Sequence, residues 1–211
     1  MAPKLITEFI GTFFLVLIIA LAVASAGPLA PVAIGLGLMV LVYMGGHVSG
    51  AHYNPAVTLA VFLRGKMELP TAAVYMGVQV AAATLAALTA RGITGSLLSV
   101  APGANVPLAT AITVEALFTF LLALVVLNVA TAKQTQGNSY YGAAIGCTVL
   151  AGAFAGGGLS GGAFNPAVGL GPALAGAITG HGLPGHAWIY LVGPLLGGAA
   201  AALAFRAQKQ E

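Results

Sequence analysis

Residues 49–60 read SGAHYNPAVTLA and residues 160–171 read SGGAFNPAVGLG, one phrase returned at a constant offset of 111 (165 − 54). Each copy carries Asn-Pro-Ala, as Asn54-Pro55-Ala56 and Asn165-Pro166-Ala167. Asparagine is a strong N-cap and proline suits the first helical position, where no amide hydrogen is needed, so each tripeptide is a helix start. Helix-compatible residues follow for about ten positions, and such a helix covers about 15 Å, half the hydrocarbon core of a bilayer. Glycine precedes both boxes: Gly45, Gly46 and Gly50 before the first, Gly156, Gly157, Gly158, Gly161 and Gly162 before the second. Each segment is therefore expected to be an extended glycine-rich loop feeding a half-length helix.

The rest of the chain supplies the bilayer. Its 211 residues are 59% hydrophobic and 5% charged, with a mean hydropathy of +1.01, which excludes an ordinary soluble domain. A spanning helix needs about 20 apolar residues, and windows at about 5–25, 31–48, 70–90, 108–132, 140–156 and 186–205 qualify, giving six spans. The first has only Lys4 ahead of it and Glu8 inside it, so it reads as a retained helix and not as a cleaved signal. In a six-span layout Lys4, Arg64, Lys66, Lys133, Arg206 and Lys209 fall on one side and Arg91 on the other, which puts both termini in the cytoplasm. The net charge of +3 is then a topology signal; the basic residues are too dispersed for a nucleic-acid face. Cys147 is the single cysteine, which excludes an intrachain disulfide and a cysteine-rich metal site; it is expected to be a small filler in the fifth span. No cofactor is implied.

The duplication extends beyond the boxes. The offset of 111 also carries Ala33-Ile34-Gly35 onto Ala144-Ile145-Gly146, while Glu8 maps onto Glu115 at 107 and Tyr75 onto Tyr190 at 115. Two sequential copies of three spans each must enter the membrane with opposite topology, and the functional site of such an inverted repeat lies near the midplane. The expected fold is thus an all-α membrane protein of six transmembrane helices plus two re-entrant half-helices, a single channel domain over residues 1–211 with repeats at about 1–95 and 105–211. The polar connector at 133–139, KQTQGNS, suits a cytoplasmic linker. The lack of appended tails favours a bacterial inner membrane.

Two half-helices entering from opposite faces would meet at the centre, each presenting about half a positive charge at its N-terminus. A cation about 4 Å from both would feel a repulsion of about 4 kcal/mol at an effective dielectric of about 20, before any loss of hydration. A neutral molecule avoids most of this and can accept hydrogen bonds from the Asn54 and Asn165 amides; for water, that orientation interrupts proton hopping. The arrangement favours passive flow of uncharged solutes.

With two boxes in register, the run Glu8-Phe9-Ile10-Gly11-Thr12-Phe13, the run from Gly46 through His47 to His52, and the signatures at 75–79 and 190–194, the chain resembles the aquaporin, or major intrinsic protein, family over essentially its whole length. The resemblance implies a homotetramer in the lipid bilayer with one pore per subunit. It also implies an outer selectivity filter, in which most relatives place an arginine after the second box; Val168 stands there. Counting back from the boxes puts the other filter positions at Ile34, Ala153 and Gly162, none charged or aromatic. Glycerol-conducting relatives carry an aspartate soon after the second box and a tryptophan in the filter, where this chain has Gly169 and Ile34. Some plant vacuolar members share the valine and are associated with water, urea, ammonia and peroxide. The expected cargo is water and small neutral solutes, extending to undissociated metalloid acids such as arsenous acid.

Other polar residues each carry an expectation. Glu8 and Glu115 are membrane carboxylates, costly unless used; one per repeat suits acceptance of loose loop amides better than proton transfer. His47, Gly161 and Ala163 are expected to line the pore loops, and His52 to serve packing. His181 and His186 are expected to be exposed, and Tyr140, Tyr141 and Trp188 to sit at membrane interfaces. Two other classes fit part of the pattern. The residues Gly158-Leu159-Ser160-Gly161 fit a GxSG protease pattern, but Ser49 is a repeat mate of Ser160, which a unique nucleophile would not have. An alternating-access transporter shares inverted repeats, yet no carboxylate lies beside either box.

Overall fold

The structure is a computed structural model and describes residues 1–208. Its helices in chain order are α1 (Ala2–Ser25), α2 (Ala30–Ser49), α3 (Pro55–Leu63), α4 (Leu69–Thr94), α5 (Leu108–Thr131), α6 (Tyr141–Ser160), α7 (Pro166–Ile178) and α8 (Ile189–Ala207). Six of them, all but α3 and α7, are long and apolar enough to cross a bilayer among the described residues. Lys209, counted above with the cytoplasmic charges, lies outside them.

The repeat is visible in the helix ends. Helix α6 begins and ends 111 residues after α2, and α7 begins 111 residues after α3. Helix α2 packs against α6 to join the halves, whereas each half-helix leans on the last helix of the other repeat, α3 on α8 and α7 on α4. Between helices in lipid there is no hydrophobic drive, so close approach at small residues supplies the attraction. Gly171 lies against Ala83 and Gly198 against the Ala56 backbone, which seats the two half-helices.

The glycine runs correct the first expectation. Gly45 and Gly46 are helical within α2, and Gly156, Gly157 and Gly158 within α6; only residues 50–53 and 161–164 are non-helical before each box. The reason is packing. A side chain at Gly45 would collide with the Tyr53 hydroxyl, and one at Gly156 with Val114 and Phe118, so these glycines let neighbours close in on intact helices. The left-handed turns fall instead at Gly50 and Gly161, with φ of 91° and 93°. The half-helices have 9 and 13 residues, bracketing the expected ten. Cys147 is exposed on the outer face of α6 and fills no gap, correcting that expectation too.

Candidate functional site

Asn54 and Asn165 cap α3 and α7 from extended backbone, φ −156° and −161°. Each side-chain Oδ1 accepts the amide hydrogen two residues on, Ala56 N at 2.8 Å and Ala167 N at 2.9 Å. That fixes the amide orientation, and each Nδ2 then crosses to the other repeat: Asn54 donates to Phe164 O at 2.9 Å, Asn165 to Tyr53 O at 2.8 Å. A carboxamide nitrogen has two hydrogens, so one donor on each asparagine remains for a guest. Pro55, Ala56, Pro166 and Ala167 are buried behind the two caps.

The loops that carry the boxes hang from two buried carboxylates. Glu8 Oε1 accepts from Ser49 Oγ at 2.7 Å and His52 N at 2.9 Å; its Oε2 accepts from Tyr53 N at 2.8 Å and Gln79 Nε2 at 2.9 Å. Glu115 Oε1 accepts from Ser160 Oγ at 2.7 Å and Ala163 N at 3.0 Å, and Oε2 from Phe164 N at 2.6 Å. The fourth donor is missing because Pro194 stands where the first repeat has Gln79. Tyr75 and Tyr190 complete the symmetry, donating to the carbonyls of Ser49 at 3.1 Å and Ser160 at 2.6 Å. Sequence reasoning missed Gln79 as a loop anchor, although it closes the 75–79 signature. With both serine hydroxyls committed to carboxylates and the carboxylates to loop amides, neither a serine nucleophile nor a free coupling acid is left here.

A cavity of about 290 Å³ holds both asparagines and extends to Ala30, Pro31 and Ser99 at one end of the bundle. Ile34, Ala153, Gly162 and Val168 line it, as do Gly161 and Ala163. Symmetric pairs from the two repeats contribute to the remaining wall, among them Leu15 with Leu122, Ile19 with Val126, and Leu38 with Val149. None of the described residues lining it is Lys, Arg, Asp or Glu. His47 is exposed and lines a different cavity, of about 580 Å³, with Lys66, Lys133 and Asn138. A third cavity, about 490 Å³, opens beside Lys4 and Glu68. His52 is buried and pairs through Nδ1 with Thr58 Oγ1 at 3.1 Å, yet it also borders the central cavity, so it does more than pack. His181 is exposed, but His186 is half-buried and meets the Val100 carbonyl at 3.2 Å, tying down a loop that forms the outer mouth. Tyr140 and Trp188 are exposed at opposite ends of the bundle, as expected of interfacial anchors, and Tyr141 is half-buried.

The model of the major intrinsic protein family matches residues 1–205. Putative aquaporin NIP4-1 of Arabidopsis thaliana is 37% identical over 208 residues, covering 93% of this chain and 71% of that protein. Aquaporin NIP1-4 of Oryza sativa subsp. japonica is 37% identical over 213 residues, covering 95% and 75%. The X-ray structure of the aquaglyceroporin from Plasmodium falciparum superposes with a TM-score of 0.83 over 97% of this chain and 95% of that one, at 22% identity. These sequence relatives come from plants and lend no support to residence in a bacterial inner membrane. Match, helices and inverted repeat agree: the chain is a multi-pass integral membrane protein of the major intrinsic protein family, the aquaporin channels, and not an enzyme.

Proposed function

We propose that the chain passively conducts water together with small uncharged solutes, namely urea, ammonia, peroxide and undissociated metalloid acids such as arsenous acid, and refuses ions and protons at the paired boxes. The observation that carries this reading is the single uncharged cavity shared by Asn54, Asn165 and the four filter positions. Val168 and Ala153 leave the outer mouth without the fixed donors of an arginine and a histidine, so selection there rests on width more than on hydrogen bonding. The spare amide hydrogens of Asn54 and Asn165 offer a passing oxygen two donors at the point where two helix N-termini oppose positive charge.

Apolar side chains such as Ile6, Phe14, Leu117, Phe154 and Leu203 face outward, which suits contact with lipid and, in part, with three further copies in a homotetramer. Purified protein in liposomes, shrunk by urea, glycerol or arsenous acid and followed by light scattering as it re-swells, tests the reading. Re-swelling with urea and arsenous acid faster than in empty liposomes is expected; permeation by water alone removes the broad solute range.

A further inference from the structure

The repeat that builds the outer filter also builds its mirror image. Shifting each filter position by 111 carries Ile34 to Ile145, Ala153 to Val42, Gly162 to Ala51 and Val168 to Val57. We propose that Val42, Ala51, Val57 and Ile145 form a second, inner constriction, and that this ring, not the outer filter, sets the size limit for solutes. The proposal rests on the channel reading above and says where within that channel selection occurs.

Three observations carry it. The inner ring is bulkier by composition: isoleucine and valine recur unchanged, but alanine stands for glycine and valine for alanine, which adds three carbon atoms to an otherwise equivalent ring. It is also tighter in place. Val42, Ala51, Val57 and Ile145 are 1%, 7%, 3% and 5% exposed, whereas in the outer ring only Val168, at 3%, is as buried and Ile34, Ala153 and Gly162 are half-buried. Finally, it stands where the open space is interrupted. Ala51, Val57 and Ile145 line the central cavity, Val42 and Ile145 line the larger one beside His47, and Ile145 is the one side chain common to both. The third cavity meets the central one only at His52 and Val126, where the His52 ring is already paired with Thr58, so a buried ring and an aliphatic side chain stand between them on that side. A ring of aliphatic carbon offers no replacement for the hydrogen bonds that a polar solute gives up on entry, and such constrictions pass or hold back molecules by width and wetting.

Exchanging side chains between the rings tests this. Val42→Ala gives the inner ring the outer ring's residue, and Ala153→Val does the converse. Each is reconstituted in proteoliposomes and compared with the unmodified channel for water and urea permeability by stopped-flow light scattering. Val42→Ala is expected to raise urea permeability by about threefold or more, while Ala153→Val, still paired with Gly162, changes it by less than about twofold. Ala51→Gly is the second widening variant. Ala51 has φ of 50°, a conformation that glycine adopts without strain, so this change opens the ring without threatening the fold. It is expected to raise urea permeability in the same direction. A loss of urea flux in Ala153→Val with no gain in either inner variant overturns the inner constriction while leaving the channel reading intact. An unmodified protein that passes neither water nor urea above empty liposomes overturns both.

Discussion

Gly35 and Gly146 meet across the internal dyad with their backbones in contact: a Cβ at Gly146 would stand 2.5 Å from the Gly35 carbonyl oxygen, and one at Gly35 would stand 2.8 Å from that of Gly146. The flanking contacts repeat the symmetry, Leu150 against Gly35 and Met39 against Gly146. This is the seam where α2 and α6 join the two repeats, and backbone atoms on both sides leave nothing flexible to yield. Gly146→Ala should therefore lower the thermal midpoint of the detergent-solubilised protein, at an overpacking cost of about 1–3 kcal/mol. Gly77→Ala is the matched control, because nothing lies within 4 Å of its added carbon and alanine is the better helix former. Its midpoint should hold or rise in the same assay.

The two buried carboxylates should differ in how they tolerate amidation. A glutamine keeps one acceptor oxygen and turns the other into a donor. At Glu8 both oxygens serve two donors each, so Glu8→Gln opposes donors to the new NH₂ group whichever way it turns. At Glu115 the NH₂ group can take the Oε2 side and oppose only the Phe164 amide. With about 1–3 kcal/mol for each buried donor left unpaired, Glu8→Gln should destabilise about twice as much as Glu115→Gln. Thermal unfolding of the two variants, side by side, gives the order; equal losses would mean that Gln79 turns its own oxygen to the new NH₂ group and keeps that bond.

The sequence shows the repeat and the boxes because each depends on register, and the proposed filter positions follow from the same count. It does not show where helices stop. Glycine in a soluble helix interior costs about 1 kcal/mol against alanine, which is why Gly156, Gly157 and Gly158 read as loop. In a membrane bundle Gly156 admits Phe118 and Val114 against α6, while Gly157 and Gly158 face open space, and the helix runs on to Ser160. The inner ring is hidden for a different reason. Val42, Ala51, Val57 and Ile145 are ordinary core residues by type, and only their symmetric placement opposite Ala153, Gly162, Val168 and Ile34 sets them apart. Gln79 belongs with them, since its value comes from reaching Glu8 on another helix.

The charge selection proposed for the centre should be inverted by a single substitution. Asn54→Asp replaces the amide that faces the Phe164 carbonyl by a carboxylate, removes the spare donor, and sets a full negative charge against two helix N-termini of about half a positive charge each. The repulsion of about 4 kcal/mol that a cation meets there is then largely cancelled. Sodium leak into proteoliposomes, measured with a sodium-sensitive dye, should rise well above that of the unmodified channel, by as much as about a thousandfold for a barrier change of that size. Leak at the unmodified level would show that cations are held back elsewhere.

The outer mouth should respond differently to water and to solutes when a guanidinium is restored. Val168 lies on the first turn of α7 and borders the same cavity as Ile34 on α2 and Ala153 on α6. Val168→Arg would fill that space with a long side chain and bring five N–H donors to a ring whose four side chains, Ile34, Ala153, Gly162 and Val168, offer none. Water is small enough to pass beside the guanidinium and can bond to it, whereas urea must fit its full width through what remains. Urea permeability should fall by about tenfold or more while water permeability falls by less than about threefold, read as the ratio of the two in one proteoliposome preparation. The same variant separates the two rings: with the outer mouth narrowed, adding Val42→Ala should no longer raise urea flux, because the tighter of two barriers in series sets the rate. A full gain from Val42→Ala on the arginine background would place Val168 away from the path that urea takes.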